Sequence, residues 1–377
     1  MCTCIIDVDC TGQELASLHS IATTCAALGE IASRLATQPA IGLDTEFLRE
    51  RTYRAQLCLL QVSDTGQAAC IDPIAVPDLS ALAPVLGDPR VVKVLHASRQ
   101  DLEVLLPTAG MVRPVFDTQI AAALAGEAAQ IGYGELVRRL LGHELPKAHT
   151  RTDWSRRPLS PEQIEYALDD VRHLLPLRQA LTERLERLGR LDWLAEELST
   201  LDDASSLGVR PEDAWRRLKG LAGLDPGRER LARLLGAWRE RRAMERDRPR
   251  GWILEDAVLR EIVLRVPRTP EALGAVPDMP PGLVKHCAAQ LLECVGEADI
   301  PDPPPPAPTR ARPDPLKTAL VRKLGAISQA VAIELGLSPE VLVTRRELEQ
   351  LADERRDVPV LRGWRRQVIG ERLLAAI

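Results

Sequence analysis

Strand-like segments in this 377-residue chain are confined to residues 40–96, and this distribution limits the possible folds more than any other feature. Four runs are apolar and rich in β-forming residues: 41–47 (IGLDTEF), 57–63 (LCLLQVS), 68–72 (AACID) and 91–96 (VVKVLH). A long helical pattern opens later at Ser160 and Pro161, which form a typical helix start. The first half is therefore predicted to be α/β.

Beyond Pro211 every periodic segment is helical, which predicts an all-α second half. The proline-rich residues 298–313 interrupt it and are expected to form a stiff, extended connector. The predicted domains are an N-terminal extension (1–18), an α/β domain (19–200), a first helical domain (207–297), the connector (298–313) and a smaller helical domain (314–377).

The composition is that of a globular protein with two or three cores, since 45% of the residues are hydrophobic. No apolar run approaches the roughly 20 residues that cross a bilayer, and the N-terminus lacks a secretion signal. We therefore expect a cytoplasmic location and no membrane partner. The eight cysteines are expected to be reduced, although Cys2, Cys4 and Cys10 could hold a soft metal if a fourth ligand were present.

The net charge of −5 is unevenly distributed. Residues 1–200 carry 19 Lys and Arg against 27 Asp and Glu, whereas residues 201–377 carry 30 against 27. An acidic half suits a site that collects cations, and a more basic half suits contact with phosphates.

Asp44 and Glu46 are two residues apart within an apolar strand, so both side chains point to the same face of the sheet. Two neighbouring carboxylates repel each other, and burying them requires a compensating positive group, for which a shared cation is one candidate. The alternative is an exposed Asp-x-Glu on a solvated edge strand.

Asp101 lies in the first turns of the helix that follows the strand at 91–96, at the rim where α/β sheets bind ligands. The alternative is an acid placed there by the helix dipole. His96, at the strand end, could contact a phosphate, but a packed or capping histidine is the competing interpretation.

Tyr166 and Asp170 share one face of the long helix, because residues four apart are neighbours there. Both could reach a common ligand. The alternative is a core tyrosine beside a surface acid, and Asp169, three residues from Tyr166, competes with Asp170.

These three elements occur in the order and approximate spacing of the DEDD exonucleases, in the subclass whose third motif contains tyrosine. Residues 44–61, 116–124 (FDTQIAAAL) and 147–177 resemble the ribonuclease D family around and between the acids. Residues 207–296 and 314–377 resemble HRDC domains, the second more distantly. The resemblance implies a ribonuclease H-like exonuclease domain, with a mixed sheet flanked by helices, followed by two small all-α HRDC domains.

The family implies a 3′-to-5′ exoribonuclease that releases nucleoside 5′-monophosphates with two divalent ions, Mg²⁺ or Mn²⁺. By similarity, Asp44 would contact both ions, Glu46 and Asp170 the ion on the nucleophile side, and Asp101 the other. Tyr166 would orient or deprotonate the attacking water. The resemblance also favours Asp170 over Asp169. The implied substrates are tRNA precursors with 3′ trailers, and no obligate protein partner is evident.

Aromatic residues make up only 3% of the chain, so few side chains are available to stack on bases. Phe47 and Trp154 are candidates for holding the last nucleotide, with core packing as the alternative for each. Lys147 could steer the RNA backbone, unless it lies in a solvated loop. The second helical domain is expected to help bind structured RNA through four arginines, Arg345, Arg346, Arg365 and Arg366.

Two other functions compete with this interpretation. A DNA exonuclease of the same superfamily would differ in whether it accepts a 2′-hydroxyl. A non-catalytic nucleic-acid-binding adaptor is disfavoured because all four acids and Tyr166 are present. A helicase is excluded for this chain, since it has no Gly-x-x-x-x-Gly-Lys-Ser/Thr loop.

Overall fold

The computed structural model describes residues 21–146, 152–203, 207–221, 223–301 and 314–377. They form two compact units. The first, here called the sheet unit, comprises Met1–Leu48, Gln56–Leu207 and Pro315–Ile377, and the second, the helical unit, comprises Arg49–Ala55 and Gly208–Asp314. The predicted extension at 1–18, with Cys2, Cys4 and Cys10, lies outside the described residues, as does most of the connector.

A six-stranded mixed sheet organises the sheet unit. Its strands are β1 Ile21–Ala22, β2 Ala40–Leu48, β3 Gln56–Ser63, β4 Ala68–Ile71, β5 Val92–Leu95 and β6 Val115–Asp117. Their order across the sheet is β1-β4-β3-β2-β5-β6. β2 pairs antiparallel with β3 and parallel with β5, so the strand that carries Asp44 and Glu46 lies in the interior of the sheet. The alternative of a solvated edge strand is therefore excluded.

Eight helices of this unit precede or follow the strands: α1 Cys25–Leu35, α2 Ala83–Gly87, α3 Arg99–Ala109, α4 Thr118–Leu124, α5 Tyr133–Leu141, α6 Pro161–Arg172, α7 Leu174–Arg187 and α8 Leu191–Ser199. The start of α6 is fixed by a capping box, in which Ser160 Oγ accepts from the Gln163 amide and the Gln163 side chain accepts from the Ser160 amide. α6 packs on β2, β3 and β4. A Cβ on Gly42 of β2 would lie only 3.2 Å from the carbonyl oxygen of Val171, so glycine permits this close approach.

The helical unit contains α9 Pro226–Arg246, α10 Arg250–Ile253, α11 Asp256–Arg265, α12 Pro270–Gly274 and α13 Pro281–Glu297. It has its own apolar core, to which α9, α11, α12 and α13 contribute. The segment Arg49–Ala55, which joins β2 to β3, belongs to this unit. Its Tyr53 hydroxyl donates to the fully buried carboxylate of Glu240, which also forms an ion pair with Arg250. Tyr53 therefore anchors the segment to a partly buried polar network, while Arg49, Glu50, Arg51 and Arg54 are exposed.

The C-terminal residues complete the sheet unit with α14 Pro315–Leu335, α15 Pro339–Leu342, α16 Arg345–Ala352, α17 Gly363–Arg365 and α18 Glu371–Leu374. Their apolar residues share one continuous core with α4, α7 and α8. Arg190 is buried and directly precedes α8. Its guanidinium donates to the carbonyl oxygens of Leu124 in α4 and Leu335 in α14, so it links the C-terminal helices to the preceding part of the unit. The predicted domain at 314–377 is thus not a separate compact unit in the structure.

The predicted fold class is confirmed: a mixed sheet has helices packed against it, and the second half is helical. The four strands predicted from the sequence correspond to β2, β3, β4 and β5. β1 and β6, of two and three residues, were not predicted, because such short segments carry little periodicity.

Candidate active site

β2 presents Asp44 and Glu46 on the face of the sheet that α6 covers. A bulge follows them directly: Glu46 pairs with Leu59 and Phe47 pairs with Leu57, which leaves Cys58 without a partner on β2. Bulges bend a strand and redirect its side chains, and they are common beside functional sites.

α6 brings Asp170 to these two carboxylates. One oxygen from each of Asp44, Glu46 and Asp170 lies within 4.8 Å of the others, a separation at which the three could hold one metal ion. Tyr166, one turn earlier on α6, is hydrogen-bonded to Asp170. The geometry therefore places these four side chains together.

Asp169 takes no part in this group. Its carboxylate forms an ion pair of 2.6 Å with Arg172, and its carbonyl oxygen accepts from the hydroxyl of Tyr133. The structure thus supports the choice of Asp170 over its neighbour.

Asp101 approaches from α3, in whose first turn it lies. The Thr45 hydroxyl, which points to the opposite face of β2 from Asp44, donates a 2.5 Å hydrogen bond to Asp101 Oδ1. Both residues are buried. Asp101 is outside the tight group of three, but its negative charge contributes to raising the pKa of Asp44. All four predicted acids therefore belong to one electrostatic cluster.

The turn before α3 is held by Asp117, the buried last residue of β6. Its carboxylate accepts from the amides of Ala97 and Ser98 and from the Ser98 hydroxyl, and it also caps α4. Ala97 has a positive φ of 55°, a conformation that costs free energy for a residue with a Cβ. Asp117 stabilises that turn and thereby fixes where α3 begins and Asp101 lies.

Burial and mutual repulsion make the cluster electrostatically unfavourable when it is fully ionised. Burial, followed by the charges of Asp101, Asp170 and Glu46, raises the pKa of Asp44 well above its usual value. Burial and the charges of Asp170 and Asp101 raise the pKa of Glu46 to about 8.

The pKa values of the other two acids rise mainly because of burial, to about 7 for Asp170 and about 6 for Asp101. Among the described residues, no Lys or Arg forms an ion pair with any of the four acids. A divalent cation would supply the missing positive charge, and carboxylate oxygens are the ligands that hard cations prefer. The residues therefore fit divalent metal ions.

Two predicted substrate contacts need correction. Both ring nitrogens of His96 are hydrogen-bonded within the protein, to Thr118 Oγ1 at 2.9 Å and to the carbonyl oxygen of Ile131 at 3.0 Å, so neither is available to a phosphate in this structure. Trp154 is only 4% exposed and packs in a core beside Tyr166, with ring centroids 6.1 Å apart. In the structure His96 and Trp154 are therefore packed within the protein, as the alternative interpretations of these two residues stated.

The other two predicted contacts remain predictions. Phe47 is half-buried and directly follows Glu46 at the bulge, which leaves a nucleotide contact geometrically possible. Lys147 lies outside the described residues.

Three positioning residues were missed in the sequence: Thr45, Asp117 and Arg157. Arg157 forms an ion pair with Asp72 and donates to the carbonyl oxygens of Cys58 and Trp154, which fastens the segment before α6 to β3. Asp117 had a visible signal, because an acid between a short apolar run and a helix is a typical N-cap. Thr45 and Arg157 had none, since their roles depend on contacts across 56 and 85 residues of sequence.

Family models and relatives agree with this geometry. A model described as 3′-5′ exonuclease matches residues 19–186, and a model of the HRDC domain matches residues 228–295. The mixed sheet and the carboxylates gathered on β2, α3 and α6 thus define a 3′–5′ exonuclease of the DEDD class.

Ribonuclease D of Gluconacetobacter diazotrophicus is 40% identical to the chain, over 94% of this chain and 91% of that protein. Ribonuclease D of Nitrobacter hamburgensis is 37% identical, over 94% of each. The crystal structure of Escherichia coli RNase D, described as an exoribonuclease involved in structured RNA processing, superimposes with a TM-score of 0.80 at 32% identity and covers 94% of this chain and 97% of that one. The chain belongs to the ribonuclease D family.

It is accordingly a 3′–5′ exoribonuclease, and neither a DNA exonuclease nor a non-catalytic adaptor is favoured. The HRDC identity predicted for residues 314–377 stays a prediction. Within the described part of the chain, none of the helices combines the length and apolarity needed to span a bilayer.

Proposed function

We propose that this protein trims the 3′ trailers of tRNA precursors by hydrolysis with two divalent cations, releasing nucleoside 5′-monophosphates. The observation that supports the mechanism most strongly is the convergence of Asp44, Glu46 and Asp170 within 4.8 Å, where burial disfavours their ionised forms. Such a group is costly unless it serves to bind positive charge.

Asp44 would contact both ions, Mg²⁺ or Mn²⁺, while Glu46 and Asp170 would complete the first site. Asp101, held by Thr45, would support the second. When bound, the cations would neutralise charge on the scissile phosphate and lower the pKa of the attacking water.

Tyr166 would orient that water by hydrogen bonding rather than remove its proton. Burial and the charges of Asp170 and Glu46 raise the pKa of the Tyr166 phenol, so it remains protonated at neutral pH. The stacked ring of Trp154 holds the phenol in place, and this is the role we assign to that tryptophan.

The helical unit would supply part of the RNA contact. Residues 210–250 carry 13 Lys and Arg against seven Asp and Glu. Trp252, 61% exposed, has the Arg248 guanidinium 5.6 Å above its ring, an arrangement suited to stacking one base and pairing with its phosphate. The Escherichia coli enzyme acts in structured RNA processing, and by similarity this chain would act on structured precursors. A cytoplasmic location and independence from an obligate protein partner stay predictions.

The test is incubation of the purified full-length chain with matched RNA and DNA oligonucleotides that have free or phosphate-blocked 3′ ends, in Mg²⁺ or EDTA. We expect stepwise shortening of RNA with a free 3′ end, formation of 5′-monophosphates, and no turnover in EDTA. Asp44→Asn is the matched control and should lose turnover while remaining folded. Turnover in EDTA, or full activity of Asp44→Asn, would contradict the two-cation mechanism, and equal degradation of DNA would change the substrate class.

A further inference from the structure

Gln61 is a fully buried amide in the interior strand β3. Neither its Nε2 nor its Oε1 has a hydrogen-bond partner among the described residues. Leaving such a group unsatisfied typically costs about 1–3 kcal/mol, and unsatisfied buried groups are rare in native proteins. Leu59 on the same face and Leu60 and Val62 on the opposite face are all buried, so the strand is buried on both faces and an apolar side chain at position 61 would be expected from packing alone.

The register of the sheet places this amide beside the acidic cluster. Gln61 is the direct cross-strand partner of Asp44. The side chains of directly paired residues in antiparallel strands point to the same face, with their Cβ atoms about 4.5–5.5 Å apart. The next pair on that face is Gly42 with Ser63, whose hydroxyl donates 2.8 Å to the carbonyl oxygen of Val171 on α6. Gln61 therefore lies under α6, between that serine and the bulge, on the face that holds Asp44 and Glu46.

An amide is chemically suited to this position. Its NH₂ group can stabilise an ionised carboxylate without a formal charge, whereas Lys or Arg would compete with a cation for the same oxygen atoms. Metal-binding carboxylates generally receive hydrogen bonds from such outer residues, and losing one typically weakens metal affinity about 10–100-fold.

We propose that Gln61 is a positioning residue for the cation site, and that its Nε2 donates a hydrogen bond to the Asp44 carboxylate when that carboxylate binds a cation. This inference rests on the proposed function, because it requires Asp44 to be a metal ligand. It assigns the unsatisfied amide a partner that lies directly across the strand pair.

The experiment measures Mn²⁺ binding and metal-free stability on the same variants of the full-length chain. Gln61→Met keeps the length and removes the amide, and Ser63→Ala is the matched control on the same face. We expect Gln61→Met to bind Mn²⁺ about 10–100-fold more weakly, as measured by calorimetry and by the electron paramagnetic resonance signal of free Mn²⁺. Its unfolding midpoint in EDTA should equal or exceed that of the wild type, because an unsatisfied group has been removed.

Ser63→Ala should behave in the opposite way, with a lower unfolding midpoint in EDTA and unchanged Mn²⁺ affinity, since its hydroxyl bonds to α6. A Kd for Gln61→Met within twofold of the wild type would overturn the inference. Gln61→Leu serves as a second variant, and failure of both apolar variants to fold would also overturn it, because the amide would then be structural. Absence of Mn²⁺ binding by the wild type would instead reject the proposed function itself.

Discussion

Trp193 of α8 and Trp364 of α17 stack with their ring centroids 4.4 Å apart and their planes within 11° of parallel. The Trp364 indole also donates to Glu197 at 2.7 Å, and its backbone amide donates to Glu196. Arg365 forms an ion pair with Glu197. The C-terminal helices therefore contribute to the core of the sheet unit.

Trp364→Ala should destabilise the protein by about 3–5 kcal/mol, as is typical when a buried aromatic side chain is truncated. Urea unfolding followed by circular dichroism would measure it. Trp252→Ala is the matched control, because that side chain is largely exposed, and it should change stability by less than about 0.5 kcal/mol. Equal stabilities of the two variants would show that the C-terminal helices contribute little to the core.

This packing also changes what is expected of the C-terminal arginines. Arg365 is paired with Glu197, Arg345 with Glu349 and Arg366 with Glu371. The ion pairs of Arg345 and Arg366 are exposed and contribute little free energy to stability. Both arginines can therefore leave their glutamates and bind phosphates instead. Arg365 is more buried and bonds within the sheet unit, so we no longer expect it to bind RNA.

Trp252→Ala should weaken binding of single-stranded RNA, because a stacked base typically contributes about 1–3 kcal/mol. Fluorescence anisotropy in moderate salt, in an Asp44→Asn background that prevents turnover, would measure a Kd increased by about 5–150-fold. Trp252→Phe, which keeps an aromatic face, should restore most of the affinity. An unchanged Kd for Trp252→Ala would place the RNA contact elsewhere.

The metal-free protein should become less stable as the pH rises from about 5 to above 8. The raised pKa values of Asp101, Asp170 and Glu46, about 6, 7 and 8, mean that the folded chain keeps protons which the unfolded chain has released near pH 4. Stability falls with pH wherever the folded state binds more protons. Cations compete with those protons, so stabilisation by Mg²⁺ should increase over the same range.

Thermal unfolding would be followed between about pH 5.5 and 8.5, in EDTA and in Mg²⁺. The difference between the unfolding midpoints in Mg²⁺ and in EDTA should widen as the pH rises. The Glu46→Gln, Asp170→Asn double variant removes two of the titrating groups, so its difference should be small at every pH. A difference that is constant with pH in the wild type would mean that these carboxylates do not take up the cation.

The pairing of side chains within one strand or one helix could be predicted from sequence because its signals are local, whereas the assignment of all four acids to one site came from the family resemblance. Alternation puts Asp44 and Glu46 on one face, helical spacing joins Tyr166 to Asp170, and the structure bears out both relations. The choice between Asp169 and Asp170 needed the family resemblance, since both spacings reach the same helix face. What decides it physically is Arg172, which pairs with Asp169 and not with Asp170.

The remaining features depend on which distant segments meet. Whether Trp154 faces a ligand or a core is decided by its packing on Tyr166, which no local pattern contains. Gln61 was visible as a lone amide in an apolar strand, but only the register of β2 and β3 pairs it with Asp44. The joining of residues 315–377 to the sheet unit likewise depends on contacts between distant residues, such as Trp193 with Trp364.

Tyr166 and Asp170 are expected to have different roles in the reaction. Tyr166→Phe removes a hydroxyl that would only orient the attacking water, so it should keep Mn²⁺ affinity and RNA binding while turnover falls by about 10²-fold, as is typical when a reacting group is misplaced. Asp170→Asn removes a negative ligand, so metal affinity should fall and higher Mn²⁺ should partly restore its activity but not that of Tyr166→Phe.

Asp169→Asn is the control and should stay near wild-type activity, because that carboxylate pairs with Arg172 instead of the cluster. Metal titrations of turnover and of Mn²⁺ binding on the three variants would decide between these roles. An inactive Asp169→Asn beside an active Asp170→Asn would show that the fourth ligand lies one residue earlier, and recovery of Tyr166→Phe at high Mn²⁺ would show that the phenol acts on metal binding rather than on the water.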